Sequence, residues 1–310
     1  MFRELQNAPV LSWTVFRPLH GASIGEGPPL ELGPFTIYDW DVHRVELEER
    51  FAKVGAFPFT MVNPDPSNTV ISVDMSARDS DKASEYADQL FEKFEATVRF
   101  MLGQDDSKDV GIFDSLDQVH LRSLAIAAAT GAMSTDFHYS GPVHAVNLRK
   151  PYYSGPEYGH DRIWAMLESG QAIKGDYLAS RILRAVVWIG KILKDHDPER
   201  KIVQLLFALE SLYSSKEHDV PIADRLAEYA AFVLEDGYDG RADCASRVKA
   251  LYGKRSAIAH GGSSEISAED LADALRIARG SVIALLTKPE LAGLNAYKQL
   301  TEWAKKMRYS

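Results

Sequence analysis

Tyr177-Leu178-Ala179-Ser180-Arg181-Ile182-Leu183-Arg184-Ala185-Val186-Val187-Trp188-Ile189-Gly190-Lys191-Ile192-Leu193 decides the fold of the second half of this chain. Tyr177, Leu178, Ile182, Leu183, Val186, Val187, Ile189, Ile192 and Leu193 form one broad apolar face at helical spacing. Such a face has to be buried against a partner. Candidate partners follow at once. Pro198 separates this helix from one over about 200–213, and a third is expected over 222–234. A fourth includes Val248, Leu251 and Tyr252 and meets a stop signal at Gly261-Gly262. Ser267-Ala268-Glu269-Asp270 has the form of a capping box, opening a fifth helix through Leu286 that Pro289 ends. Leu294, Tyr297, Leu300, Trp303 and Met307 mark a last amphipathic stretch. The natural solution is a helical bundle.

Upstream the pattern changes. Residues 1–75 read as strand and loop. Leu11–Phe16, Phe35–Trp40 and Thr69–Met75 are rich in aromatic and β-branched residues. The glycines and prolines of Gly21–Gly33 mark a surface loop, and this loop lacks the Lys-Ser/Thr of a phosphate-binding P-loop. A helix is expected over 80–102, with Ala83, Tyr86, Ala87, Leu90, Phe91, Phe94, Val98 and Met101 in register and Gly103 to end it. Residues 108–150 are ambiguous. Their histidines, His120, His138 and His144, have no metal-ligand spacing, so no metal and no cofactor is expected. Pro151–Pro156 is the linker candidate. The expected class is α+β: a domain with β-sheet plus helix over 1–150, read as sensing or regulatory, then an all-α domain over 157–310.

Composition is that of a globular protein, with 45% hydrophobic and 25% charged residues among 310. The single cysteine, Cys244, cannot form an internal disulfide or a cysteine-based zinc site, which fits a reducing cytosol. The first residues lack the apolar core of a signal peptide, and Leu124–Met133 is too short to span a bilayer. The expectation is a cytoplasmic protein that does not engage membranes. A net charge of −9 disfavours nucleic-acid binding over the whole surface. The charge is uneven, however. From Arg241 to His260 five cations (Arg241, Arg247, Lys249, Lys254, Arg255) meet one acid, Asp243, a local balance of +4. That run is either a solvated helix face or a patch that draws phosphate.

Within it lies Arg255-Ser256-Ala257-Ile258-Ala259-His260-Gly261-Gly262. Arg255 is a permanent cation that forks onto phosphate oxygens. His260 can give and take protons near neutrality. The pair is sufficient to cleave a phosphodiester without a metal. Upstream, Glu210 falls in the otherwise apolar stretch Leu205–Leu212. It reads either as a residue that orients Arg255 across the bundle or as a solvent-facing acid.

Two segments in order, Leu206-Phe207-Ala208-Leu209-Glu210-Ser211-Leu212-Tyr213 and Tyr252-Gly253-Lys254-Arg255-Ser256-Ala257-Ile258-Ala259-His260-Gly261, resemble the Apea-like branch of the HEPN superfamily. The resemblance covers residues 177–288 or so. It implies a HEPN-type bundle that dimerises through the motif, and a metal-independent endoribonuclease of the kind that serves as a defence or toxin effector released by a trigger the sequence does not name. Arg255 and His260 would be catalytic, with Glu210 and Ser256 in support. Lys254, Arg247, Lys249 and Arg241 would contact RNA, although Lys254 reads equally as a solvated lysine and Ser256 as a helix-packing residue. The alternative is a non-catalytic HEPN module that binds nucleic acid, nucleotide or a partner protein.

Geometry sets a condition on that chemistry. Residues five apart on a regular helix are separated by about 140° around its axis. Arg255 and His260 would share a site if the helix loosened near the glycine pair, or if two copies of the motif met across a two-fold axis.

Overall fold

Residues 9–50, 69–103, 119–126, 133–139, 146–170, 177–195, 197–214, 220–262 and 264–309 are described by the computed structural model. The fold is α+β. The chain divides into two units, Met1–Glu95 with Asp105–Lys150, and Ala96–Gln104 with Pro151–Ser310.

The first unit is built on a four-stranded antiparallel sheet. Strands β1 (Leu11–Pro18), β2 (Ala22–Ser23), β3 (Leu30–Leu32), β4 (Phe35–Asp39) and β5 (Thr69–Ala77) are followed by β6 (Val119–Ile126), β7 (Met133–Tyr139) and β8 (Val146–Asn147). The sheet order is β1-β5-β4-β3, with Leu11 opposite Ala77 and Phe35 opposite Val73. Val70, Ile71, Ser72 and Val73 of β5 are consecutive and all buried, as a central strand covered on both faces requires. The first turns of a long helix, α2 (Ser80–Leu102), bury Ala83, Ala87, Phe91 and Phe94 here. Phe94 meets Phe35 edge-on at 5.1 Å.

The loop after β2 is tied down through its carbonyls. Arg149 donates to Ile24 O at 2.8 Å and to Pro28 O, and His43 Nε2 reaches Gly27 O at 3.0 Å. A phosphate cradle needs free N–H groups instead.

Trp40–Arg50, read as strand and loop from sequence, is a helix, α1. Only His43 and Leu47 of it are buried, while Val42 and Val45 face out, so its apolar stripe is one residue wide. Strands β6 and β7 set His120 and His138 opposite each other in register, while His144 lies outside the described residues. Among the described residues no group of His, Cys, Asp and Glu could hold a metal ion. No helix among them is long and apolar enough to cross a membrane.

The second unit is helical: α3 (His160–Glu168), α4 (Leu178–Lys191), α5 (Pro198–Tyr213), α6 (Ile222–Leu234), α7 (Tyr238–Ala259), α8 (Ala268–Thr287), α9 (Pro289–Ala292) and α10 (Tyr297–Met307). Asp197 caps α5, accepting from the Glu199 and Arg200 N–H groups, with Pro198 in the first turn. Ser267 and Asp270 close the capping box of α8. Helix α8 packs on α4, α5 and α6, and its Ala274, Ile277, Ala278, Ser281, Val282 and Leu285 are buried. Gly190 lets α4 approach the end of α2: a Cβ there would lie 2.0 Å from Ala96 O. Arg181 of α4 lies 3.8 Å over the Tyr297 ring and donates to Ser214 O at 2.6 Å, closing the end of α5.

The 151–156 segment, read as a linker, is packed. Pro151–Tyr153 is a 3-10 turn with Tyr153 buried. Tyr153 O accepts from the Trp164 indole at 2.7 Å. Arg279 donates to Phe100 O, Met101 O and the Tyr152 hydroxyl, capping the end of α2. His160 is fully buried beside these groups and its Nδ1 lies 2.6 Å from Tyr152 O. A carbonyl only accepts, so Nδ1 carries the proton and Nε2 is a bare acceptor with no partner. Burial, aided by the nearby Arg279 charge, holds the His160 pKa below its ordinary value of 6.5. The unfolded chain therefore binds more protons than the folded unit between that lowered pKa and 6.5. This contribution to stability is complete above 6.5 and is lost as pH falls through that window. Melting curves of the wild type should shift down between neutral pH and pH ~5, with a smaller shift in His160→Gln. Equal shifts would remove His160 as a cause.

Candidate functional site

The C-terminal half of α7 crosses α5 where Phe207 and Glu210 lie one turn apart. Arg255 points into that crossing. Its Nη2 is 3.2 Å from Glu210 Oε1, and its guanidinium lies 5.0 Å over the Phe207 ring and 5.6 Å over Tyr252. The two charged side chains keep only 19% and 22% of their exposure. The distance is that of an ion pair, yet Glu210 Oε1 and Arg255 Nε each lack a hydrogen bond. The contact is therefore an electrostatic one set off the hydrogen-bond line. Burial pushes the Glu210 carboxyl above its usual range, and the Arg255 charge opposes the shift without cancelling it. The Tyr252 phenol is also pushed up, by burial and then by Glu210.

His260 lies elsewhere on the same helix. Helix α7 stays regular to Ala259, and His260 is its C-cap, donating its N–H to Ser256 O at 3.1 Å. Gly261, at φ +79°, takes the left-handed position, and its N–H reaches Ile258 O at 3.1 Å. The Gly262 N–H reaches Ala257 O at 2.9 Å, which completes a Schellman motif. The glycine pair thus ends the helix tightly; it does not loosen it. The His260 imidazole is exposed and has no hydrogen bond or ion pair among the described residues. Within one chain, then, no contact joins His260 to Arg255. The Ser256 hydroxyl, half-buried, likewise has no hydrogen bond among the described residues.

The cations expected to meet RNA have partners of their own. Arg247 pairs with Asp243 at 3.0 Å and with Asp273 of α8 at 2.9 Å. Lys249 pairs with Asp224 of α6 at 2.6 Å. Lys254 reaches Asp270 of the α8 capping box at 2.6 Å and Glu265 O at 3.2 Å. Arg241 donates to Glu235 O at 3.0 Å and lies 5.3 Å over the Phe232 ring. The surplus counted along the sequence is offset in space, because α5, α6 and α8 bring Glu210, Asp224, Asp270 and Asp273 to these cations. Lys254 is a third exposed and fastens α7 to the start of α8. Cys244, on the same helix, is buried, and burial pushes its thiol up to about 11, so it is no nucleophile.

Cations without a carboxylate partner among the described residues include two on α4. Arg184 and Lys191 are exposed and have no carboxylate in ion-pair range among the described residues. Trp188 is half-buried between them, with its ring 5.3 Å from Phe207 and the Lys191 ammonium 5.8 Å away. The sequence reading took α4 only for its apolar face. The signal for the other face was the i, i+4, i+7 spacing of Arg184, Trp188 and Lys191.

Compared with protein-family models, with curated proteins and with solved structures, the chain matches none.

Proposed function

We propose that this chain is a metal-independent endoribonuclease of the HEPN type, acting in the cytoplasm as a homodimer and serving as a defence or toxin effector. The observation that carries the reading is the placement of Arg255 and His260 on one helix. Arg255 is held against Glu210 with a fifth of its surface open. His260 is exposed at the helix end with its imidazole unengaged. A rise of about 7.5 Å and a turn of about 140° separate the two on α7, so one chain does not converge them on one phosphorus. In the dimer, Arg255 of one protomer works with the partner subunit's His260.

In the reaction the ribose 2′-hydroxyl attacks the adjacent phosphorus and the 5′-oxygen leaves. His260 takes the proton from the hydroxyl or gives one to the leaving oxygen. Arg255 stabilises the charge that develops on the non-bridging oxygens. The products are a 2′,3′-cyclic phosphate and a 5′-hydroxyl. Purified protein should cleave labelled RNA in EDTA and spare DNA, which has no 2′-hydroxyl. Cleavage that needs added Mg²⁺ would end this mechanism.

One feature favours a second reading, a non-catalytic module that binds nucleic acid, nucleotide or a partner protein. Arg255 already has a carboxylate partner, and a phosphate must compete with it. The same assay separates the two readings, since a module binds without cutting.

A further inference from the structure

We propose that Trp188 and Phe207, flanked by Arg184 and Lys191, form a stacking platform that leads single-stranded RNA to Arg255. The proposal rests on the ribonuclease reading and names residues that hold its substrate. The outer stripe of α4 presents Arg184, Trp188 and Lys191 at successive turns. The Trp188 ring continues to Phe207 at 5.3 Å, Phe207 to the Arg255 guanidinium at 5.0 Å, and Arg255 to Tyr252 at 5.6 Å. Trp188, Phe207 and Tyr252 are all half-buried, so none of the three is sealed in the core. Alternating rings and cations along one strip suit a single strand, whose bases stack on rings while its phosphates meet the cations.

Charge complementarity points the same way. Arg247, Lys249, Lys254 and Arg255 of α7 are matched by acids, whereas Arg184 and Lys191 have none in reach among the described residues. On a chain of net charge −9, unopposed cations draw a polyanion, and on α4 they flank an aromatic ring. Paired bases hide their faces in the stack. A duplex therefore gains little from the rings.

The test uses the full chain carrying His260→Ala, so that RNA stays whole, and a short fluorescent oligoadenylate read by anisotropy. Trp188→Ala should weaken binding about 10-fold, while Trp188→Phe keeps most of the affinity. Arg184→Gln with Lys191→Gln should reduce the slope of log affinity against log salt by about 1.4, the share of two phosphates on a single strand. Binding of a duplex RNA should change little in Trp188→Ala. The platform is overturned if Trp188→Ala, still folded, binds oligoadenylate as the parent does. It is equally overturned if that variant turns a dimer into a monomer of unchanged affinity, for the strip is then a subunit interface. A His260-intact chain that never cuts RNA, but whose oligoadenylate binding depends on Trp188, would sink the ribonuclease reading and leave the platform standing. Cleavage in EDTA that ignores Trp188 would do the reverse. A chain that neither cuts nor binds RNA would end both.

Discussion

His260→Ala is expected to slow RNA cleavage by about 10²–10⁴-fold, the usual contribution of a positioned general acid or base. The structure makes this substitution a clean one. The bonds that end α7 run through the backbone of Ser256, Ala257, Ile258, Gly261 and Gly262, and none uses the imidazole. The side chain is exposed and touches no partner among the described residues. Its removal should leave stability within about 0.5 kcal/mol of wild type, as for most surface positions. A lost rate then reports chemistry and not unfolding. Single-turnover cleavage in EDTA, with end-group analysis for the cyclic phosphate, measures it. An alanine variant that cuts as fast as the parent would remove His260 from the mechanism.

The bundle was legible because its helices are long and each buries one broad stripe. Residues 222–234 are a helix as read, and Ser267 with Asp270 forms the capping box their spacing announced. The strands around Leu11, Phe35 and Thr69 were legible from their aromatic and β-branched residues. Short helices escaped for a physical reason. Trp40–Arg50 buries His43 and Leu47 alone, and two buried positions make no visible period. His160–Glu168 sits behind Pro151–Pro156, which reads as a break although the segment packs.

The basic run was only partly legible in the sequence. A count along the sequence sees only neighbours on the same helix, whereas Asp224, Asp270 and Asp273 arrive from other helices. Glu210 was conspicuous as a lone acid in an apolar stretch, and the structure sets it against Arg255. The five-residue spacing already set His260 off the Arg255 face of a regular helix, but the sequence could not say that Arg255 would lie over Phe207.

Glu210→Ala should cost about 3 kcal/mol, the low end for breaking a buried pair, because each side chain keeps about a fifth of its exposure. For a unit of this size that lowers the melting temperature by about 6–12 °C. Arg255→Ala removes the other partner, and the two losses should differ. A guanidinium cannot shed its charge, so Arg255 left alone stays a half-buried cation at every pH. A carboxylate can take a proton. The Glu210 carboxyl is already raised by burial, and without Arg255 it rises further. A raised folded-state pKa contributes stability that is complete below the ordinary carboxyl value of 4.5 and is lost as pH climbs through the folded value. Arg255→Ala should therefore melt close to wild type near pH ~5 and fall behind it toward pH ~8, while Glu210→Ala stays low at both. Adding Glu210→Gln to Arg255→Ala should abolish that dependence, because no buried charge is left. The double variant is then the proper control for catalysis: it should be folded and inactive, with its loss assigned to the missing guanidinium. Equal, pH-independent melting of the two alanine variants would make the pair an ordinary surface contact, with no part in holding Arg255 where a phosphate could reach it.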